Sequence, residues 1–306
     1  CRRLVANHMI DDVQQLRSIG TDRTAPVTIS NKAWNPTKIR RWVRAFPTST
    51  GVALVETDTG RGFLKALGNS EGPHALAAEL VAIQLAEWIG LPTFEYSLIE
   101  ITNADEIWLG DGKQAEAGPA FITRETNGAP WSGNATELNK LLNPTDISRL
   151  VVFDTWTLNC DRYSVPQRGK LGKPRVNREN VFLARSEQKG KLQLVAMDHT
   201  HCFTCGHPIT KKVRFDATMK DRRVFGFFPE FRKLLDRTVV IETSSKLQSI
   251  SKGEVVQFVS RIPREWDVSR SAAEALVDVI VGRARFVAKT IEDEIWRQMD
   301  LFLEDE

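Results

Sequence analysis

The sequence predicts an α+β protein of two lobes, the first β-rich and the second mainly helical. Three observations carry this expectation. Between Phe46 and Thr123, short runs of apolar and β-branched residues are divided by Gly, Pro and Asp turns, the pattern of strands. From Ser271 to Phe302, residues Leu276, Val279, Ile280, Phe286, Val287, Ile291, Ile295, Met299 and Phe302 keep a helical period, as one packing helix or two in series. The chain has 306 residues, 42% of them hydrophobic, enough for one large core or two modest ones.

Composition excludes several classes. Lysine plus arginine number 42 against 39 acidic residues, a formal charge of +3, too small for a dedicated nucleic-acid binder. No apolar run approaches the roughly 18 residues a membrane-crossing helix needs, and no export signal is legible. Four cysteines in a chain this long do not form a disulfide framework, so a cytoplasmic protein is expected. Cys1 stands where a natural chain usually opens with Met; a chain boundary or renumbering is the expected reason, a lipidated or processed end the alternative.

In chain order, Met9, Ile10, Val13 and Leu16 suggest a small helix, and Gly20–Pro26 a linker. From Phe46 the entry Pro47-Thr48-Ser49-Thr50-Gly51 leads into Val52–Val55, Asp58-Thr59-Gly60 turns the chain, and Gly62–Ala66 returns as a second strand. Hydroxyls and backbone amides at Ser49, Thr50 and Gly51 could cradle phosphate, or form an ordinary strand entry. Lys65 lies in the second strand, where the bland reading is a surface lysine on an edge. His74–Trp88 is helical, with Glu79 in its first third and Gly90-Leu91-Pro92 as its stop; Glu79 could equally be a solvated helix charge. Phe94–Ile101 and Pro119–Thr123 supply two more strands of a mostly antiparallel sheet with that helix packed on it.

The segment Asp154–His199 places polar residues where a simple core would not. Ile147, Leu150, Val151 and Phe153 give a helix that stops at Asn159-Cys160-Asp161-Arg162, so Asp161 sits at a helix exit. Asn180-Val181-Phe182-Leu183 and Leu192–Met197 read as two strands of a hairpin, Asn180 opening one and Asp198 closing the other, so that antiparallel pairing sets Asn180 and Asp198 side by side. Amide and carboxylate oxygens are hard ligands of the kind that hold magnesium beside triphosphate oxygens, while a separate Asp can orient an attacking hydroxyl.

The order Asp161-Arg162, then Asn180 before apolar residues, then an apolar strand ending in Asp198-His199, resembles the HipA-like kinases, relatives of phosphoinositide and eukaryotic protein kinases. The likeness runs from about Pro47 to Asp236; its motifs are short, and their order is more specific than any one of them. It implies a two-lobed protein-kinase-like fold and an ATP- and Mg²⁺-dependent phosphotransferase. Asp161 would then be the catalytic base, Asn180 and Asp198 the metal ligands, and Lys65 the phosphate-binding lysine, positioned by Glu79. Ser49, Thr50 and Gly51 would lie over the nucleotide. Ile122–Thr126, with Glu125, would be the crossing between lobes, where adenine meets the backbone. A serine/threonine acceptor on protein, and a cognate antitoxin or other regulatory partner in a bacterial toxin-type role, are implied in the same way.

One departure from that pattern is large. Asn180 follows Asp161 by 19 positions, whereas protein kinases use about five, so Asn177 remains an alternative to Asn180. The extra segment Tyr163–Arg178 carries Arg168, Lys170, Lys173, Arg175 and Arg178, and reads as a cationic flap able to meet an acidic substrate or the nucleotide, or simply as a solvated loop. Downstream, His199, His201, Cys202, Cys205 and His207 could bind zinc, but a tetrahedral site usually draws ligand pairs from separate places; the preferred reading is the loop after Asp198, with Phe203 as its aromatic. Arg162 could brace its loop, neutralise phosphate, or be an ordinary stabilising arginine on the surface. Phe225–Phe231 reads as second-lobe core around a helix start at Pro229, with a peptide groove as the minor alternative.

The expected organisation is an N-terminal helix and linker over 1–27, a β-rich lobe over 28–124 and a helical lobe over 125–306. Rival readings are an inactive nucleotide-binding module of the same fold, a lipid or small-molecule kinase, and a zinc-stabilised interaction protein.

Overall fold

The computed structural model describes residues 34–166 and 172–304. The expected N-terminal helix, Cys1, Arg168 and Lys170 lie outside the described residues. The first lobe is a five-stranded antiparallel sheet in the order β1 (Ile39–Ala45), β2 (Ala53–Thr57), β3 (Gly60–Lys65), β5 (Gly118–Arg124), β4 (Tyr96–Ile101). Alternation fixes its faces: Ala53, Val55, Leu64, Ala120 and Ile122 meet Ile99, Ile101 and Trp34 in a small core of their own. β3 lies between β2 and β5, so Lys65 is on an inner strand and not on an edge.

Sequence reasoning missed β1. Its residues Ile39-Arg40-Arg41-Trp42-Val43-Arg44-Ala45 include three arginines, as suits an edge strand that shows one face to water and carries cations there. Two register shifts against β2 break the alternation further.

Helix α1 (Pro73–Ile89) starts with Pro73 in its first turn and ends on Gly90 in the left-handed conformation at φ 93°, whose amide closes onto Ala86 and Glu87. It is apolar nearly all round, and thirteen of its seventeen residues are buried. The expectation set it on the sheet; it does meet β5, but its Leu76, Leu80, Ile83 and Ile89 share a core cluster chiefly with second-lobe residues such as Trp156 and Trp266. The element carrying Glu79 is thereby fixed to the helical lobe.

Beyond β5 the chain crosses into β6 (Gly128–Pro130), which joins β9 (Val181–Arg185) and β10 (Leu192–Ala196) in a three-stranded sheet. The second lobe is built from α2 (Asp146–Thr157), α3 (Arg237–Ser249), α4 (Lys252–Ser260) and α5 (Arg270–Glu304). α5 is a single helix of 35 residues, which settles the alternative of two in series. Pro229 opens a 3₁₀ helix (Pro229–Leu234) in place of the expected α-helix, and Trp131, Phe228 and Phe231 pack ring on ring there as core. Buried Arg283 of α5 donates to the carbonyls of Thr155 and Trp156 at 2.5 and 3.0 Å. These are carbonyls that the end of α2 cannot satisfy within the helix, so Arg283 holds the exit where Asp161 follows.

Candidate active site

Asp161 is positioned by a buried polar frame. α2 closes on Leu158 in the left-handed conformation at φ 57°, and the next turn folds back under the helix. Asp154, on the last turn of α2, accepts from Arg162 Nε at 2.7 Å and from Asn159 Nδ2 at 3.0 Å. Arg162 also donates to the Met197 carbonyl at 3.1 Å, which ties the Asp161 loop to the strand leading to Asp198. Asp154 and Arg162 are both fully buried. Arg162 is therefore not the surface arginine that was one expectation, and its buried bonds fit the bracing role. Burial pushes the Asp154 carboxyl above its ordinary value, opposed in part by the Arg162 guanidinium. Gly226 completes the frame: at φ 72° a Cβ would lie 2.1 Å from Asp154 Oδ2. Removing one partner strands the other charge in the interior, so Asp154→Ala should destabilise the fold by about 3–5 kcal/mol, read as a lower urea midpoint. A variant within 1 kcal/mol of wild type would contradict this account of the frame.

The 19-residue separation is resolved by a hairpin. β7 (Tyr163–Ser164) pairs with β8 (Arg175–Val176), in the register Tyr163 to Val176 and Ser164 to Arg175. Directly beyond it, Asn177 donates its amide to the Arg162 carbonyl at 2.8 Å. Followed from Arg162 straight to Asn177, the chain reaches Asn180 as the fifth residue after Asp161, the spacing of a short kinase loop. Asn180 Nδ2 lies 2.7 Å from Asp161 Oδ2 and Asn177 Nδ2 at 3.4 Å, so Asn180 makes the closer contact. Asn180 ends a 3₁₀ turn (Arg178–Asn180) and does not open the strand, which begins at Val181. β9 and β10 pair as expected, Val181 opposite Ala196.

Asp198 and Lys65 meet across the cleft. Lys65 Nζ lies 2.6 Å from Glu79 Oε2 and 2.9 Å from Asp198 Oδ1. Glu79 Oε2 also accepts the His199 amide at 3.0 Å. One lysine therefore joins β3, α1 and the segment after β10. Asp198 adopts φ 53°, a left-handed conformation that Asp tolerates better than most residues. Burial works against every charge here. It would lower the Lys65 ammonium, but Asp198 and Glu79 raise it above its ordinary value. Burial pushes the Glu79 carboxyl up, opposed by Lys65 and the His199 amide. It would also raise Asp198, but Lys65 and the Thr200 hydroxyl hold that carboxyl down at about 2.

A depressed carboxyl stabilises the fold above its ordinary pKa of 3.8, and that contribution is lost as pH falls through the folded value. The stability difference between wild type and Asp198→Asn should thus be about 2 kcal/mol at pH 7. In urea titrations it should shrink towards zero as pH falls from about 4 to about 2. A gap that stayed constant over that range would rule out this ion pair as its source.

Lys65, Glu79 and Asp198 line a cleft of about 1200 Å³ between the lobes, together with Thr50, Ile83, Phe94, Phe121, Glu125, Phe182 and Met197. The other expected nucleotide residues are placed unevenly. Thr50 is buried on the cleft wall, and Gly51 takes φ 60° against Leu109 and Gly110. Ser49 is not among the lining residues; it is exposed and accepts from Ser70 through its carbonyl at 2.6 Å. The Glu125 amide donates to the Arg61 carbonyl at 2.9 Å.

The histidine–cysteine segment disperses. His199 is buried against Phe153, and Cys202 is buried beside Thr157. His201 lies with Nδ1 3.6 Å from Asp161 Oδ2 and Nε2 3.5 Å from Glu71 Oε1. Among the described residues, no group of three or more His, Cys, Asp or Glu side chains is arranged to hold a metal. Sequence reasoning gave no site role to Asp154 or Glu71, and offered His201 only as a candidate zinc ligand. The alternation of chemistry in Asp154-Thr155-Trp156 was the only trace of the first, since an Asp on the apolar side of a helix demands a partner.

The comparisons with known proteins bear on the same stretch. A family model described as HipA-like kinase matches residues 56–299. The crystal structure of a Helicobacter pylori proinflammatory kinase, CtkA, has a similar fold, with a TM-score of 0.54 at 11% identity over 86% of this chain and 98% of that one. No curated protein matches the sequence.

Proposed function

The chain belongs to the HipA-like kinase family, and we propose that it transfers the γ-phosphoryl group of ATP, with Mg²⁺, to a serine or threonine hydroxyl on a protein acceptor. The observation that carries this reading is a pair of neighbouring polar groups: Lys65 between Glu79 and Asp198 on the cleft wall, and Asp161 with Asn180, linked to Asp198 through His201 and Thr200. The apolar walls Ile83, Phe94, Phe121 and Phe182 suit a purine ring.

The donor set fits magnesium. Asp198 supplies a carboxylate, and Asn180, whose amide nitrogen is spent on Asp161, offers its carbonyl oxygen. Bound there, the ion would neutralise triphosphate charge and fix the phosphate oxygens. In this reading Lys65, held by Glu79, takes up a phosphate oxygen. Asp161 accepts hydrogen from the attacking hydroxyl and keeps it in line with the phosphorus. Asn180 and the Asp154–Arg162 frame keep the Asp161 carboxylate from turning away.

The reading is tested by incubating the protein with γ-labelled ATP and a mixed protein acceptor. Label on serine or threonine, dependent on Mg²⁺, supports it. ATP bound without any transfer would favour the inactive module, and label confined to lipid would reassign the acceptor.

A further inference from the structure

The inserted hairpin delivers a cation to the Asp161 side of the cleft. Arg175 on β8 forms an ion pair with Asp161 Oδ1, while Asn180 occupies the other carboxylate oxygen. The position is set by strand pairing: Arg175 lies opposite Ser164, three residues beyond Asp161 itself, and Val176 lies opposite buried Tyr163. Yet the Arg175 side chain is 51% exposed. Asp161 is only 8% exposed, so the pair is open to water on its arginine side alone, where the guanidinium can meet a further anion while it holds the carboxylate. A guanidinium has five N–H donors in a planar fork, and one carboxylate oxygen uses only part of them.

Charge balance supplies the second argument. Lys65 meets Glu79 and Asp198 on the cleft wall, and Asp161, linked to Asp198 through His201 and Thr200, has Glu71 on the far side of that histidine. These groups set one cation against four carboxylates without Arg175 and two against four with it, before any triphosphate enters. Of the cations further out along the cleft, Arg41, Arg61 and Arg124 are already paired with Glu56, Glu125 and Glu95, and Arg40 lies on the outer strand β1. A phosphoryl group in flight spreads negative charge over its equatorial oxygens, and it must pass beside the group that receives the acceptor's proton. The cation in contact with that group is Arg175.

Resting on the kinase reading above, we propose that Arg175 is a catalytic residue that donates hydrogen bonds to the transferring γ-phosphoryl group, as an arginine supplied in cis by the hairpin inserted after Asp161. In the step it serves, the acceptor O–H bond breaks with its proton passing to Asp161. A bond forms from acceptor oxygen to Pγ, the bond from Pγ to the β,γ-bridging oxygen breaks, and ADP departs with that electron pair. Arg175 exchanges no proton and changes only the charge that the phosphoryl oxygens feel.

The experiment compares wild type, Arg175→Ala, Arg175→Lys and Asp161→Asn in labelled phosphoryl transfer, with ATP titrated and folding followed by Tm. Arg175→Ala should lose about 10²- to 10³-fold in kcat, with KM for ATP within about threefold of wild type. Arg175→Lys should keep part of the rate, because it keeps charge but not the fork. Millimolar guanidinium added to Arg175→Ala should restore activity in a saturable way, which a merely structural arginine would not show. An unchanged or higher kcat in Arg175→Ala, with Asp161→Asn inactive, would overturn the proposal and leave the kinase reading standing; a higher rate would make Arg175 a block on the base. A wild-type protein that binds ATP but transfers nothing would remove the kinase reading, and the role of Arg175 with it.

Discussion

Asp198→Ala should reduce phosphoryl transfer by about 10³-fold or more, roughly 4 kcal/mol of barrier. Two losses combine in it. The carboxylate proposed to hold Mg²⁺ disappears, and Lys65 loses the partner 2.9 Å away that shares it with Glu79. Left with Glu79 alone, at 2.6 Å, the lysine should lean towards α1 and away from the phosphates. Initial rates at saturating ATP and graded Mg²⁺ check this. The variant's residual rate should stay low at any magnesium concentration, and a rate within tenfold of wild type would remove Asp198 from the metal role.

The second large effect separates chemistry from binding. Asp161→Asn keeps the size of the side chain and its neighbours Asn180 and His201, but an amide is a far weaker base than a carboxylate. The transfer rate should fall about 10²- to 10⁴-fold, while ATP affinity, measured by calorimetry, stays within a few fold. Loss of affinity equal to loss of rate would mean that Asp161 holds the nucleotide and does not act on the acceptor.

Much of this site was legible because it lies at the ends of regular elements. A helix exit, the turn before a strand and the stretch just beyond one leave polar residues at predictable places, and Asp161, Asn180 and Asp198 lie there. Lys65 was ambiguous by itself, since an inward and an outward strand position look alike until the partner strands are known. The choice between Asn177 and Asn180 could not be made by counting, because the hairpin that removes residues 163–176 from the path has strands of only two residues each, too short to leave a periodic trace. The Asp154–Arg162 pair was hidden for another reason. A buried ion pair depends on two residues whose elements meet only in three dimensions, and sequence gives the charges without the meeting. The first strand was masked by its arginines, and the attachment of α1 to the helical lobe by its near-uniform apolarity, which points to no single face.

The central claim is that Lys65, Asp198, Asn180 and Asp161 surround one triphosphate. A crystal structure of the protein with Mg²⁺ and a non-hydrolysable ATP analogue tests this most directly. The account predicts the purine among Ile83, Phe94, Phe121 and Phe182, a cation touching Asp198, Asn180 and phosphate oxygens, and Lys65 on a phosphate oxygen, with Asp161 facing the terminal phosphorus. A nucleotide bound elsewhere, or in this cleft with its phosphates turned away from Lys65 and Asp198, would contradict it.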